Sequence, residues 1–306
     1  MNHSRNISTS RLLWILNRFL DIHVKRNLNR KSVNLLSVGR SVVSFRNKVD
    51  KRLNRKQKAF EIESLMKNKR SEDYQVIEEV FDKPTLMVIY DFMNKGKIDE
   101  IHGVVNAGKE ARIYWGKDPE GNELAIKIYL TSSTEFKKGM LLYIEGDQRF
   151  AHVRRDTRSL IYAWAQKEFK NLQRAREAQV NVPKALAVHK NVLIMQFIGK
   201  NGQRAPLIKE TALADPEKVL KLLLTYLKRL YRKGGLVHAD LSEYNIMIWK
   251  SKPVIFDVAQ SVLVNHPMAD KFLYRDLKNL HKYFKRQIPN IPSVNEMYEM
   301  ITGGRK

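Results

Sequence analysis

Asp240, Asn245 and Asp257 are the side chains of this chain whose types and spacing best suit chemistry. Asp240 and Asn245 lie in His238-Ala239-Asp240-Leu241-Ser242-Glu243-Tyr244-Asn245, and Asp257 closes Val254-Ile255-Phe256-Asp257. Residues 246–249 and 254–256 are apolar runs of strand length, and Lys250-Ser251-Lys252-Pro253 between them reads as a turn. If these strands pair antiparallel, the start of the first and the end of the second fall at one edge, beside the loop that carries Asp240. Two carboxylates and an amide oxygen then converge on one point. Such a set suits Mg²⁺, which takes hard oxygen ligands and keeps its other positions for water and phosphate. The plainer reading is that Asp240 and Asn245 cap a turn while Asp257 merely ends a strand.

The spacing H-x-D-x-x-x-x-N, with an acidic residue after the next strand, is that of a kinase catalytic loop and its metal-holding aspartate, so the chain is expected to handle ATP. In that chemistry Asp240 accepts or orients the proton of the attacking hydroxyl, and Asn245 and Asp257 hold the metal. Phosphoryl transfer is chiefly positioning and charge stabilisation, so no covalent protein nucleophile is required. A cation for the phosphates comes from Leu124-Ala125-Ile126-Lys127-Ile128-Tyr129. Strand alternation there sets Leu124, Ile126 and Ile128 on one face and Lys127 on the other, between Ala125 and Tyr129. A carboxylate partner lies downstream. Ile161, Trp164, Ala165 and Leu172 share one helical stripe with Glu168, which either meets Lys127 or reaches water at the stripe's edge.

Gly103-Val104-Val105-Asn106-Ala107-Gly108-Lys109-Glu110 nearly matches the P-loop G-x-x-x-x-G-K-[ST], but Glu110 offers no hydroxyl to a metal. Residues 111–115 alternate like a strand where a P-loop would open a helix. The segment is expected to be a hairpin turn over the phosphates, where Gly108 lets the backbone come close and Lys109 adds charge.

The positioning elements follow from period and punctuation. Thr85 after Pro84 starts a helix over 85–94 that Gly96 ends. Strands are expected at 101–105, 111–116 and 123–130, making a small antiparallel sheet. Residues 131–157 are charged and lack sustained periodicity, which suggests a mobile insertion. A helix follows over 159–178, then a strand and hinge over 192–198. The best-marked helix is 216–233, with Asp215 as cap, Pro216 at the first position and Gly234-Gly235 at the end. A last helix is expected over 268–286. The domains so drawn are a basic extension (1–70), marginally helical or disordered; an amino-terminal lobe (71–199) with its hinge near 195–199; and a carboxy-terminal lobe (200–306).

The 306 residues suffice for a bilobal enzyme, and the net charge of +24 is unevenly spread. Residues 1–70 hold 18 basic and 4 acidic side chains, so +14 of the total sits there. That extension is either an arm that neutralises nucleic-acid phosphates or a solvated basic tail. Having no cysteine excludes a disulfide framework and thiolate metal sites. The longest early apolar run, 12–16, is too short for a membrane span and poor as a signal-peptide core, so no membrane and a cytoplasmic location are expected.

Together these stretches resemble the RIO family of atypical serine protein kinases, particularly its first type as found in archaea. The resemblance covers roughly residues 72–286. It rests on Gly108-Lys109-Glu110-Ala111, Ala125-Ile126-Lys127-Ile128-Tyr129, Leu236 through Asn245, and Asp257-Val258-Ala259-Gln260-Ser261. It implies an α+β, trimmed protein-kinase-like fold, with a small antiparallel-sheet lobe and a mainly helical one. It also implies ATP with Mg²⁺ (or Mn²⁺) as cofactors, serine autophosphorylation, and a role in maturation of the small ribosomal subunit, with pre-ribosomal particles and rRNA as partners. Adenine would be met by the backbone of 195–198, naming Gln196 and Ile198, and Asp257 would also accept phosphate in an ATPase-like cycle. Asp257 is followed by Val258-Ala259, not Phe-Gly, and no A-P-E comes after it, so peptide docking in the usual kinase manner is not expected.

Two other functions remain open at this level: an RNA-binding module that uses ATP only to set its conformation, and a small-molecule phosphotransferase. The basic arm supplies a test. Removing residues 1–70 is expected to weaken RNA binding and flatten its salt dependence in a titration; unchanged affinity would count against the arm.

Overall fold

The computed structural model describes residues 81–131 and 134–304, with the backbone alone over 134–138. The chain divides into a unit of residues 13–87 and a larger one that contains 88–306, and the larger unit carries the sheet and the helices that follow it. The basic extension, residues 1–70, lies outside the described residues.

Helix α1 (Lys83–Asn94) ends just before Gly96, whose φ of 61° is the left-handed conformation a helix end uses. Strands β1 (Glu100–Ala107), β2 (Ala111–Lys117) and β3 (Glu123–Tyr129) pair antiparallel in sequence order. Between β2 and β3, Asp118 accepts from the backbone and side-chain nitrogens of Asn122 at 2.7 and 2.9 Å. The sheet is larger than the three expected strands. Strands β4 (Ala185–His189) and β5 (Val192–Gln196) add to it in the order β1-β2-β3-β5-β4. Strand β3 is therefore central, and Leu124 through Tyr129 are all buried. That is why Lys127 cannot reach bulk water.

The stretch 131–157 differs from its expected lack of structure. It contains helix α2 (Thr134–Ile144) and a 3-10 turn at Gln148–Phe150. Met140, Tyr143, Ile144 and Phe150 are buried in the core. Three of these have helical spacing, but one such repeat is too short to stand out as a period. Helix α3 (Thr157–Glu177) follows, capped by Asp156, which accepts from Ser159 N at 2.9 Å. Its stripe of Ile161, Trp164, Ala165 and Leu172 packs against the sheet at β4 and β5.

The chain leaves β5 through a hairpin of β6 (Gly199–Lys200) and β7 (Gln203–Arg204), then becomes mainly helical. Helix α4 (Pro216–Arg232) begins as expected, Asp215 accepting from Lys218 N at 2.9 Å, and buries Leu220, Leu223, Leu227 and Leu230. It delivers the chain to β8 (Leu236–Val237). Next comes the hairpin of β9 (Ile246–Trp249) and β10 (Lys252–Ile255), in which Ile246 faces Ile255. Its turn is only Lys250-Ser251, both at positive φ, the primed geometry that matches strand twist. Strand β11 (Val262–Leu263) returns to pair with β8. Helix α5 (Ala269–Phe284) and helix α6 (Val294–Thr302) close the fold. Helix α6 was not foreseen, although Ser293 and Glu296 form a capping box at its start. The architecture is α+β, a sheet-rich half followed by a mainly helical one. Among the described residues no helix is long and apolar enough to cross a membrane.

Gly116 in β2 is set by close backbone approach: a Cβ there would lie 2.5 Å from Glu100 O and 2.9 Å from Ile126 Cδ1. Gly116→Ala is expected to cost about 1–3 kcal/mol through overpacking, seen as a lower urea midpoint at unchanged slope. A wild-type midpoint would show that the β1 edge yields freely.

Candidate active site

Lys127 is the centre of the site. The central strand β3 carries its ammonium inward, and Nζ donates to Glu168 Oε1 at 2.9 Å and to Asp257 Oδ1 at 2.7 Å. Lys127 is 6% exposed and Glu168 only 1%. Glu168 thus faces the core cation and not water, which settles the two alternatives left by its place on the helical stripe. Its other oxygen, Oε2, accepts from the Tyr129 hydroxyl, and the Lys127 ammonium sits 5.1 Å from the Tyr129 ring centroid. Burial opposes the charge on Lys127, yet Asp257 and then Glu168 outweigh it and hold the lysine well above its usual value. Burial also pushes Glu168 up, against the pull of Lys127. At Asp257 the balance goes the other way: burial is overcome by the charge and hydrogen bond of Lys127, and the carboxyl lies below the usual range. Asp257 lies deep among protein atoms but keeps 46% of its side-chain surface open, which leaves its face accessible to a ligand.

The β9–β10 hairpin brings the ends of the two strands together as their spacing implies. Phe256 N donates to Asn245 O at 3.1 Å, so Asn245 and Asp257 stand at the same edge. Asn245 Nδ2 donates to Asp240 O at 2.8 Å and to Asp240 Oδ2 at 3.3 Å, which ties the amide to the loop aspartate. Burial and then the neighbouring Asp257 raise Asp240.

The loop holding Asp240 is braced from behind. Ala239 sits at φ 67°, a left-handed conformation that costs energy for a residue with a Cβ. Asp276 of helix α5 receives Ala239 N at 2.8 Å and Leu241 N at 2.9 Å, one on each carboxylate oxygen. Burial pushes Asp276 up to about 8, opposed by those two N–H groups and by Arg275. Arg275 donates to Ala239 O, and Asn279 Nδ2 to Leu241 O at 3.0 Å. His238 is driven down to about 4 by burial and is therefore neutral. Its Nδ1 accepts from Asp240 N at 3.3 Å, so Nε2 carries the hydrogen and meets Phe256 O at 3.1 Å.

Gly108 lies in the β1–β2 turn, where its N donates to Ala111 O at 3.0 Å. Lys109 beside it is exposed. Glu110 stands in the field of the site: burial, then Asp257, raise its carboxyl, and Asp240 adds to the shift. At the other end of the sheet, Gln196 N donates to Lys184 O at 2.8 Å, Phe197 N to Glu123 O at 3.2 Å, and Ala205 N to Ile198 O at 2.8 Å. None of these bonds uses the Gln196 carbonyl or the Ile198 amide. The Gln196 side chain is exposed and bonds only locally, to Lys184 N at 3.4 Å.

A sheet lysine bonded to a helix glutamate, opposite a braced H-x-D-x-x-x-x-N loop and a hairpin aspartate, defines a protein-kinase-like site. The comparisons agree with that class. A family model described as the RIO domain matches residues 112–297. The chain is 37% identical over 254 residues to the RIO-type serine/threonine-protein kinase Rio1 of Haloferax volcanii, covering 83% of this chain and 86% of that protein. It is 41% identical over 233 residues to the protein of the same name from Methanocaldococcus jannaschii, covering 76% and 79%. Human serine/threonine-protein kinase RIO1 is 34% identical over 278 residues, 90% of this chain but 47% of the human protein. Among solved structures, the Rio2 kinase of Chaetomium thermophilum superposes with a TM-score of 0.55 at 21% identity, over 70% of this chain and 66% of that one. The same kinase in an ADP/Mg²⁺-phosphoaspartate complex gives 0.53 at 19%, over 70% and 65%. The chain belongs to the RIO family, with its archaeal-like Rio1 type, and is a serine/threonine-kinase phosphotransferase.

Sequence reasoning missed Tyr129 as a partner of Glu168, and it missed Asp276 altogether. Tyr129 lies two residues from Lys127 on the same strand face, a signal that was present. Asp276 had a fainter one, as an acidic residue among the buried positions Phe272, Leu273, Leu277 and Leu280. Asp276→Leu would orphan two buried N–H groups at about 1–3 kcal/mol each. The expected outcome is a markedly lower urea midpoint with Asp276→Asn in between; a wild-type midpoint for the leucine variant would show that Arg275 and Asn279 hold the loop unaided.

Proposed function

We propose that this chain transfers the γ-phosphoryl group of Mg²⁺-bound ATP to serine, on itself or on a protein of the small ribosomal subunit precursor. The observation that carries the reading is the single ammonium of Lys127 held between Glu168 and Asp257 at the edge shared with Asp240 and Asn245. In this reading Lys127 meets the α- and β-phosphates, and Glu168 and Tyr129 keep it in place. Gly108 and Lys109 cover the phosphates, and the Gln196 carbonyl and Ile198 amide receive the base.

The donor set fits a hard divalent ion. Asp257 commits Oδ1 to Lys127, and Asn245 commits its nitrogen to Asp240, which leaves one carboxylate oxygen and one amide oxygen as ligands. Magnesium, or manganese in its place, would be held by these oxygens of Asp257 and Asn245 and would supply positive charge to offset that of the phosphates. Asp240 accepts the proton of the serine hydroxyl as its oxygen bonds to the γ-phosphorus, and ADP leaves with the bridging oxygen. The Rio2 structure named for a phosphoaspartate supports a second acceptor here. In this branch the Asp257 oxygen otherwise offered to the metal bonds to the γ-phosphorus in place of the serine oxygen, and ADP leaves with the bridging oxygen; water then attacks the acyl phosphate, which releases inorganic phosphate and restores the carboxylate to complete an ATPase cycle. The +14 of residues 1–70 supports contact with rRNA, in the cytoplasm.

Radiolabelled ATP, supplied to purified protein with and without ribosomal particles, tests these assignments. Turnover should require Mg²⁺ and fall at least about 100-fold in Asp240→Ala, the lower end of what a positioned proton acceptor contributes. Label stable to hydroxylamine marks serine, and label released by it marks Asp257. Undiminished turnover of Asp240→Ala in a clean preparation would refute the assignment.

A further inference from the structure

Helix α3 touches the site at two points one turn apart. Glu168 holds Lys127. Three residues on, Asn171 is wholly buried and reaches across to the turn that follows Asp257. Its Nδ2 donates to Val258 O at 2.8 Å and to Ser261 O at 3.3 Å, while its Oδ1 accepts from Arg149 Nη1 at 2.7 Å. Arg149 also donates to Ser261 O, at 3.2 Å, and is itself clamped by Asp147, from Nε at 2.9 Å and from Nη2 at 2.6 Å.

What this grip restrains is a backbone that would otherwise relax. Asp257 sits at φ 56°, ψ 58°, a left-handed conformation that is uncommon for residues other than glycine and costs energy to hold. On one side, Phe256 O is met by His238, and Ser261 Oγ donates to His238 O at 3.1 Å. On the other side the Asn171 amide holds the carbonyls of Val258 and Ser261. The direction in which the Asp257 carboxylate points therefore depends on groups anchored to the helix that also sets Lys127.

We propose that Asn171 is a positioning residue, fixing the Asp257 carboxylate against Lys127 so that helix α3 sets the spacing between the phosphate-binding cation and the metal-binding oxygen. The proposal deepens the phosphotransferase reading and rests on it. Asn171 does not touch substrate; it acts through the backbone of residues 257–261. The segment 131–157 enters the same arrangement through Arg149, which gives that stretch a mechanical link to the site.

The test uses the full chain with Asn171→Leu, which removes donor and acceptor at similar volume, and Asn171→Asp, which keeps an acceptor for Arg149 but loses the donor to Val258 O. Leu172→Ala is the control, a buried neighbour on the same helix that makes no bond to the turn. Calorimetry of ADP binding with and without Mg²⁺ reads the metal-linked part of affinity, and kcat, ATP KM and melting temperature are measured in parallel. Both Asn171 variants are expected to lose about tenfold or more of the Mg²⁺-linked tightening, as supports behind a metal ligand typically do. Their kcat should fall by a similar factor, with ATP KM changed much less. Leu172→Ala should melt lower but keep the Mg²⁺ linkage. Wild-type linkage and kcat in the Asn171 variants, or equal losses in Leu172→Ala at matched melting temperature, would overturn the proposal while leaving the kinase reading in place. A wild-type protein whose ADP binding ignores Mg²⁺ would bring down both.

Discussion

One ammonium group shared by two carboxylates holds the site together. Lys127 is buried, and an isolated charge there would be untenable; Glu168 and Asp257 make it tolerable and are in turn held by it. The three residues come from a central strand, a helix and a hairpin end, so a single electrostatic requirement fixes three elements at once. Removing Lys127 would leave Glu168 as an uncompensated buried charge, whereas removing either carboxylate leaves the ammonium with a single partner. The arrangement therefore specifies geometry more than it supplies net stability, because desolvation offsets most of the Coulomb attraction.

Around this triad the backbone is held in conformations it would not choose alone. Ala239 and Asp257 both lie in the left-handed region, and each is flanked by carbonyl or N–H groups tied to buried side chains. Asp276, Arg275 and Asn279 hold the loop of Asp240 from helix α5. His238, kept neutral by burial, links that loop to the peptide before Asp257. Strain at Asp257 and at Ala239, the neighbour of Asp240, with polar groups spent behind both, is the mark of a site whose side chains are pre-aimed and not left to fluctuate.

Much of this was readable from the chain. The hairpin after Asn245 followed from two short apolar runs around a turn, and the pairing of its ends brought Asn245 and Asp257 to one edge. Lys127 and Glu168 were visible through strand alternation and a helical stripe. Helix α4 announced itself by Asp215, Pro216 and its leucines. The misses have physical causes as well. The stretch 131–157 looked structureless because its buried residues, Met140, Tyr143, Ile144 and Phe150, complete only one helical repeat among charges. Strand β4 was passed over because none of its five residues is fully buried and no alternation stands out. Asn171 and Arg149 carried no pattern, since a polar residue within a helix is usually solvated and only a partner distant in sequence makes it otherwise.

The amino-acid sequence by itself determined which groups are present and their local spacing: a lysine on a buried strand, a glutamate on an apolar stripe, and two aspartates and an asparagine around a short hairpin. Those depend on periods of two and of 3.6 residues, which act over a few neighbours. Tertiary structure alone decided that Glu168 and Asp257 meet on the same ammonium, that Asp276 stands behind Asp240, and that Asn171 reaches the turn after Asp257. These contacts join residues from 35 to 130 positions apart. Their registry is set by how the sheet, helix α3 and helix α5 pack, and no local pattern encodes it.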